Sequence, residues 1–406
     1  MIERGAVRPE ERAIAPDLAR GVMLAMIVLS NAVFHLWAAP VGVSGWHPVT
    51  GSAADRITQL FMIIFIDLRV YPLFAFLLGY GMARLMARQV AAGTSPGAAV
   101  RLLRGRSLLL LAFGLVHAAL LLAGDILGVY GLISLLLGWL FLRRADRTLL
   151  IWAAIFAGLL AAAAVLLSAG LLATGASMAE PGYATSAGHA DYATGEASWL
   201  DAAAGRLATW ASMLMMAPSQ LGMHAVMLLG IWAGRNRVLD EPARHRRLLT
   251  ITALAGIPVG WLGALPAALA HLGVLDVPAE AMSDQGELFV LQAATGVFAG
   301  LGYVAVFGLL AVRSSPAPAP APAVVEAVRA AGRRSLSVYL AHSVLLGPVL
   351  AAWGLGLGAW LGSAGAAAYA LGAWAVTLAA AWALERRGLP GPAEALMRRL
   401  LYRSRR

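Results

Sequence analysis

Long apolar runs, cut by short charged stretches, set the pattern of this chain. A helix needs about 20 apolar residues to cross roughly 30 Å of hydrocarbon. Ten runs of that order occur, at residues 18–38, 57–83, 107–124, 126–142, 149–173, 207–233, 248–272, 288–311, 335–353 and 364–384. The pattern predicts an all-α fold: a polytopic membrane helical bundle of about ten transmembrane helices lying in a lipid bilayer. No repeat at a fixed period emerges along the chain.

Charge then orients the expected spans. With the N-terminus placed in the cytoplasm, all of the 31 basic residues except Arg56, Arg69 and Arg206 fall in cytoplasmic segments, as the positive-inside rule requires. Both termini are therefore expected to be cytoplasmic. Acids such as Glu180, Asp191, Asp201, Asp276 and Glu287 collect in the opposite loops, the longest of which covers about residues 174–206. The Pro-Ala run SSPAPAPAPAVV at 314–325 reads as an extended cytoplasmic spacer. It divides the chain into residues 1–313 with eight helices and residues 326–406 with the last hairpin and a basic tail. The first 21 residues contain acids and lack a small-residue cleavage site, so no cleaved signal peptide is expected.

Composition supports a membrane protein and excludes some chemistry. Of 406 residues, 60% are hydrophobic and 13% charged, outside the range of ordinary soluble domains. There is no cysteine, which removes disulfides and thiol chemistry. The net charge of +10 comes from arginines between apolar runs rather than from a basic face on a soluble domain, so nucleic acid is not an expected partner. The eight histidines show no metal-ligand spacing, and no metal is expected.

Ionisable groups within apolar runs are costly, so each is a candidate for function. His117 lies ten residues into its run, near mid-depth, as do Asp67 and Arg69, which are two apart and so expected to have separate partners. Asp125 follows Gly124 and reads as an N-cap; on one helix axis it stands about 12 Å from His117, which argues against direct contact. Asn31 and His35 share a helix face, and His47 lies in the loop VGVSGWHPVTG as an interfacial anchor or a general base. In APSQLGMHAV, Pro218 interrupts the sixth run ahead of His224, a kink satisfied by Ser219 or a half-helix aimed at an anion. Tyr339 and His342, three apart, read as a hydrogen-bonded pair or as substrate contacts.

Five stretches carry a resemblance. APDLARGVMLAMIVLSN, DLRVYPLFAFLLGYGMARL, LLAFGLVHAALLLAGDILGVYGLISLLL, LGMHAVMLLGIWAGR and AAGRRSLSVYLAHSVL together resemble the bacterial membrane proteins of domain of unknown function 418, the YeiB-like family. The family is in turn distantly similar to the transmembrane acyltransferases. That likeness implies roles near an active site for Arg20 and Asn31, at an L-R-G-like opening of the first helix, and for His47 beyond it. It also implies a bacterial cytoplasmic (inner) membrane location. Asparagine stands at 31 where sugar O-acyltransferases have histidine.

Two functions are therefore expected to compete, beside the plainer reading of a membrane scaffold whose polar residues only hold helices together. One is an acyltransferase passing an acyl group from a cytoplasmic thioester, with acyl-CoA as co-substrate, to an acceptor at the outer face. His117 or His47 would be its base, with Asp125 orienting, Asn31 and Arg69 donating hydrogen bonds, and Arg20, His35, Asp67, His224, Tyr339 and His342 lining the substrate path. The other is a transporter with a buried His/Asp/Arg relay. A homodimer is left open by the sequence.

Overall fold

The computed structural model describes residues 14–40, 46–178, 192–283, 286–313 and 322–403. Fourteen α-helices are described: α1 (Ile14–Ala32), α2 (Ala53–Phe65), α3 (Val70–Ala91), α4 (Pro96–Leu120), α5 (Ile126–Phe141), α6 (Asp146–Thr174), α7 (Trp199–Met216), α8 (Leu221–Arg235), α9 (Arg246–His271), α10 (Glu287–Arg313), α11 (Ala323–Arg333), α12 (Ser335–Leu350), α13 (Ser363–Arg386) and α14 (Pro392–Arg403). The all-α expectation holds. Large apolar side chains are turned outward, among them Leu159, Leu166 and Leu172 on α6 and Ile251, Leu254 and Leu262 on α9, as hydrocarbon contact requires. The chain is a membrane protein.

Each of the ten expected runs is helical over most of its length, but they are not ten equal spans. Among the described residues, six helices are long and apolar enough to cross a membrane, or seven if one bent pair counts as a span. The second run breaks: α2 ends at Phe65, Leu68 takes a left-handed φ of 61°, and α3 starts at Val70. Asp67 and Arg69 therefore sit in a helix break, where side chains and backbone groups can be aimed separately. The sixth run also breaks, α7 and α8 meeting at 67° through the tight turn Ala217–Ser219. There Pro218 interrupts the helix and Ser219 donates to the Met216 carbonyl at 2.7 Å, the satisfied kink among the two readings. Of the expected spacer, residues 314–321 lie outside the described set, and Ala323–Val325 already form the first turn of α11 rather than extended chain.

Capping residues fix several helix starts. Ser52 and Asp55 form a capping box at α2, with the Ser52 N–H donating to Asp55 at 2.8 Å, and Asp55 also accepts from the Ala364 N–H at the start of α13. One carboxylate thus ties the N-termini of two helices.

Glycines let helices cross at backbone distance. A Cβ on Gly79 of α3 would overlap the Met227 carbonyl of α8, and one on Gly230 of α8 would overlap the Phe76 carbonyl of α3. α1 and α11 cross in the same way, with Gly21 against the Val328 carbonyl and Gly332 against the Asp17 carbonyl. Close approach through small residues replaces the hydrophobic effect, which cannot drive association between helices already solvated by lipid tails.

The crossing at Gly79 and Gly230 yields a test. Gly230→Ala should destabilise the protein by about 1–3 kcal/mol, because the added methyl must push two backbones apart. Gly158→Ala on α6, where nothing lies within 4 Å of the new carbon, should be neutral or stabilising. Thermal unfolding in detergent reads both, and equal melting of the two variants would refute the packing account.

Candidate active site at the α4–α5 turn

α4 ends at Leu120, a five-residue turn reverses the chain, and Asp125 opens α5 as its N-cap, accepting from the Gly128 N–H at 2.8 Å. The cap expected from the sequence is present. The expected separation of Asp125 from His117 is not: His117 Nδ1 lies 2.8 Å from Asp125 Oδ1. The 12 Å spacing assumed one helix axis, whereas the turn folds Asp125 back beside the last turn of α4. Both side chains are almost wholly excluded from solvent. Asp125 already accepts a backbone N–H as a cap, so in this contact it is again the acceptor and the imidazole Nδ1–H the donor, which in a neutral ring leaves Nε2 as a lone pair. That Nε2 is buried and has no hydrogen-bond partner among the described residues.

The surroundings hold this pair in place. Trp210 of α7 donates from Nε1 to Asp125 Oδ2 at 3.4 Å. Arg206, one of the three arginines outside the positive segments, is buried and donates to the carbonyls of Ala118, Ala119 and Leu120 at 3.1, 2.9 and 3.4 Å. It satisfies the C-terminus of the helix that carries His117 and complements its dipole. Its guanidinium sits between the Trp199 and Trp353 rings, 5.8 and 5.6 Å from their centroids. Tyr339 of α12 places its ring edge-on to His117, centroids 5.1 Å apart, with its hydroxyl 3.5 Å from Asp125 Oδ1.

Tyr339 also lines a cavity of about 460 Å³. Leu110, Leu127 and Tyr130 line it from α4 and α5, and Phe74, Leu77 and Gly81 along α3. The lining is also charged, with Arg20, Arg84, Arg88, Arg106 and Arg333 against Asp17, Asp240 and Glu394. From Phe74 to Arg88 along α3 this covers about 21 Å. Arg20 and Tyr339, expected to meet substrate, thus face one cavity. Arg84 and Arg88 escaped the sequence reading because positive segments next to spans already have a topogenic explanation. Their four-residue spacing, which puts both on one face of α3, was the available signal.

A second buried pair lies elsewhere. His47 Nε2 is 2.7 Å from Asp67 Oδ2, and the His271 ring stands 5.8 Å from that of His47. Gln59 links this group onward, its amide oxygen 3.3 Å from His271 Nε2 and its Nε2 donating to Ser363 Oγ at 2.9 Å. A cavity of about 20 Å³, the size of one water, touches His47, Asp67, Trp46 and Gln292. Arg69 does not face it as an anion binder. Its guanidinium donates to the Asp67 carbonyl and to the Gly260 carbonyl at 2.7 Å, closing the break between α2 and α3. Asp67 and Arg69 side chains do have separate partners, as expected.

The other expected residues are dispersed. His35 lies in the turn after α1 with Nδ1 3.1 Å from the Asn31 carbonyl, so the two are linked through backbone. His224 contacts the Gln220 carbonyl at 2.8 Å and packs near Phe156. His342 pairs with Thr377 Oγ1 at 3.0 Å on α13 rather than with Tyr339, which corrects the expected pair. Among the described residues no hydrogen bond or ring contact joins Asn31 or Arg69 to His117, and no group of three or more metal-ligating side chains occurs.

Comparison with known proteins agrees with the family resemblance over the C-terminal part of the chain. Residues 233–404 match the model of the family described as "Protein of unknown function (DUF418)". The chain is 29% identical over 265 residues to "Uncharacterized protein YxaH" of Bacillus subtilis (strain 168), covering 62% of this chain and 64% of that one. It is 34% identical over 128 residues to "Uncharacterized 39.9 kDa protein in amylase 3'region" of Bacillus acidopullulyticus, covering 32% and 34%. The matches thus span less than two thirds of these relatives' own lengths.

The two tasks of Asp125 can be separated by substitution. Asp125→Ala removes the cap and strands His117 Nδ1, for an expected cost of about 2–4 kcal/mol. Asp125→Asn keeps an acceptor for Gly128 and should lose clearly less. Thermal unfolding in detergent measures both, and parental melting in the alanine variant would show that the carboxylate holds nothing together.

Proposed function

We propose that this DUF418 protein is a membrane-embedded acyltransferase that takes an acyl group from a thioester donor entering the arginine-lined cavity and passes it to an acceptor hydroxyl or amine. The observation that supports the reading is the continuity from that cavity through Tyr339 to the His117–Asp125 pair. Following the positive-inside rule, the arginine-lined mouth faces the cytoplasm, both termini are cytoplasmic, and the membrane is the bacterial inner membrane.

The chemistry follows from the pair. His117 Nε2 takes the proton of the acceptor as it attacks the thioester carbonyl, and the imidazolium that forms is stabilised by Asp125 at 2.8 Å. Collapse of the tetrahedral intermediate expels the thiolate, which takes that proton. The Tyr339 hydroxyl, 3.5 Å from Asp125 Oδ1, is a donor beside this centre for the developing oxyanion, whereas Arg69 is engaged with the Asp67 and Gly260 carbonyls. Because Tyr339 both lines the cavity and packs its ring against His117, displacement of that ring is the step that would admit the acyl group. The His47–Asp67 pair supplies a second oriented imidazole near the opposite loops, suited to activating an acceptor there.

The 67° break between α7 and α8 favours a transporter as the second reading, since broken helices often mark substrate sites. Proteoliposomes separate the two, because a carrier moves solute without chemistry.

With acyl-CoA and candidate acceptors, His117→Ala should retain its melting temperature to within a few degrees while acyl transfer falls by about 10²–10⁴-fold. Unchanged turnover in that variant would exclude His117 as the base.

A further inference from the structure

The cavity changes chemistry along its length, and the change specifies its ligand. At the mouth, Arg106 of α4 stands near Arg20 of α1 and Arg88 of α3, close enough for their charges to oppose its own. Each acid of the lining has partners, and Glu394 also draws the charge of Arg106. Asp240 lies 3.1 Å from Arg84 and also receives the Tyr80 hydroxyl. Glu394 accepts from the Leu336 and Ser337 N–H groups at 2.9 and 3.2 Å, capping α12. Asp17 stands 3.6 Å from Arg20, and Arg333 turns to Glu385 at 2.9 Å. Among the described residues no ion pair joins Arg106 to an acid.

Five arginines from four helices line the cavity against three carboxylates, an excess of positive charge that a multivalent anion offsets. Guanidinium forks match phosphate oxygens in paired hydrogen bonds. Inward of them Phe74, Leu110 and Leu127 leave no charge to pair with an anion, so the remainder of the ligand is an apolar or weakly polar arm.

We infer that Arg106, with Arg20 and Arg88, forms a phosphate site that anchors a phosphate or diphosphate ester whose arm extends toward Tyr339. The assignment of that ester as the acyl donor rests on the acyl-transfer reading; the phosphate site itself does not. The same group is offered by a soluble carrier or by a phospholipid headgroup.

The test uses the full-length chain in uncharged detergent, titrated with inorganic pyrophosphate and with coenzyme A. Both should bind, more weakly as salt rises. Arg106→Gln should weaken binding about tenfold or more, and Arg88→Gln, on a different helix, should do likewise if the first variant fails to fold. Arg147→Gln, an exposed change of the same charge on α6, should leave binding intact. Parental affinity in both cavity variants, or equal weakening by Arg147→Gln, would overturn the site. In nanodiscs, coenzyme A binding that survives phosphatidylglycerol assigns the site to a soluble ester, and binding lost there but kept in phosphatidylcholine assigns it to a lipid headgroup. Phosphate binding without detectable acyl transfer keeps the site and removes the acyl-transfer reading. Acyl transfer indifferent to Arg106→Gln and Arg88→Gln does the reverse.

Discussion

Asp125 has two carboxylate oxygens, and the turn between α4 and α5 depends on how they are divided. Oδ2 accepts the Gly128 N–H that would otherwise be an orphan at the start of α5, and Oδ1 accepts from His117. In a medium without water each unmet polar group costs several kcal/mol, so one anion that satisfies a backbone donor and an imidazole together removes two such costs. The Cβ position of Gly114, on α4, is taken up by Asp125 Oδ2 and the Gly128 backbone, which is why only glycine lets the two helices close on this carboxylate. The orientation of His117, and with it any chemistry at Nε2, follows from this packing.

The buried arginines show the same constraint from the cationic side. Arg69 and Arg206 direct their hydrogen bonds to backbone carbonyls, at a helix break and at a helix end respectively. Both are places where the helical ladder leaves acceptors unmet. The arginines around the cavity differ in place, since they line a volume of about 460 Å³.

Much of the architecture was legible because lipid imposes long apolar runs. The breaks were less so: nothing in IDLRVYPLF marks a left-handed residue at Leu68, which becomes tenable when Arg69 ties the Asp67 and Gly260 carbonyls. His117 and Asp125 were singled out correctly as polar residues in a costly place. Their contact was not, because counting along one axis ignores a reversal of the chain. The His47–Asp67 pair spans 20 residues and a loop, and His342 found Thr377 rather than Tyr339, partnerships that only the assembled bundle could reveal. Arg106 was hidden by the sufficiency of the positive-inside rule, which explains an arginine's side of the membrane but not the cavity it faces.

The central claim is that one path leads from the arginine-lined mouth past Tyr339 to His117. It is tested most directly by a cryo-electron microscopy map of the full-length chain in nanodiscs with a non-hydrolysable acyl thioester analogue. The account predicts elongated density from Arg106 along α3, with Tyr339 displaced and the acyl end beside His117 Nε2. Density confined to the His47 side, or a cavity still empty at saturating analogue, would contradict it.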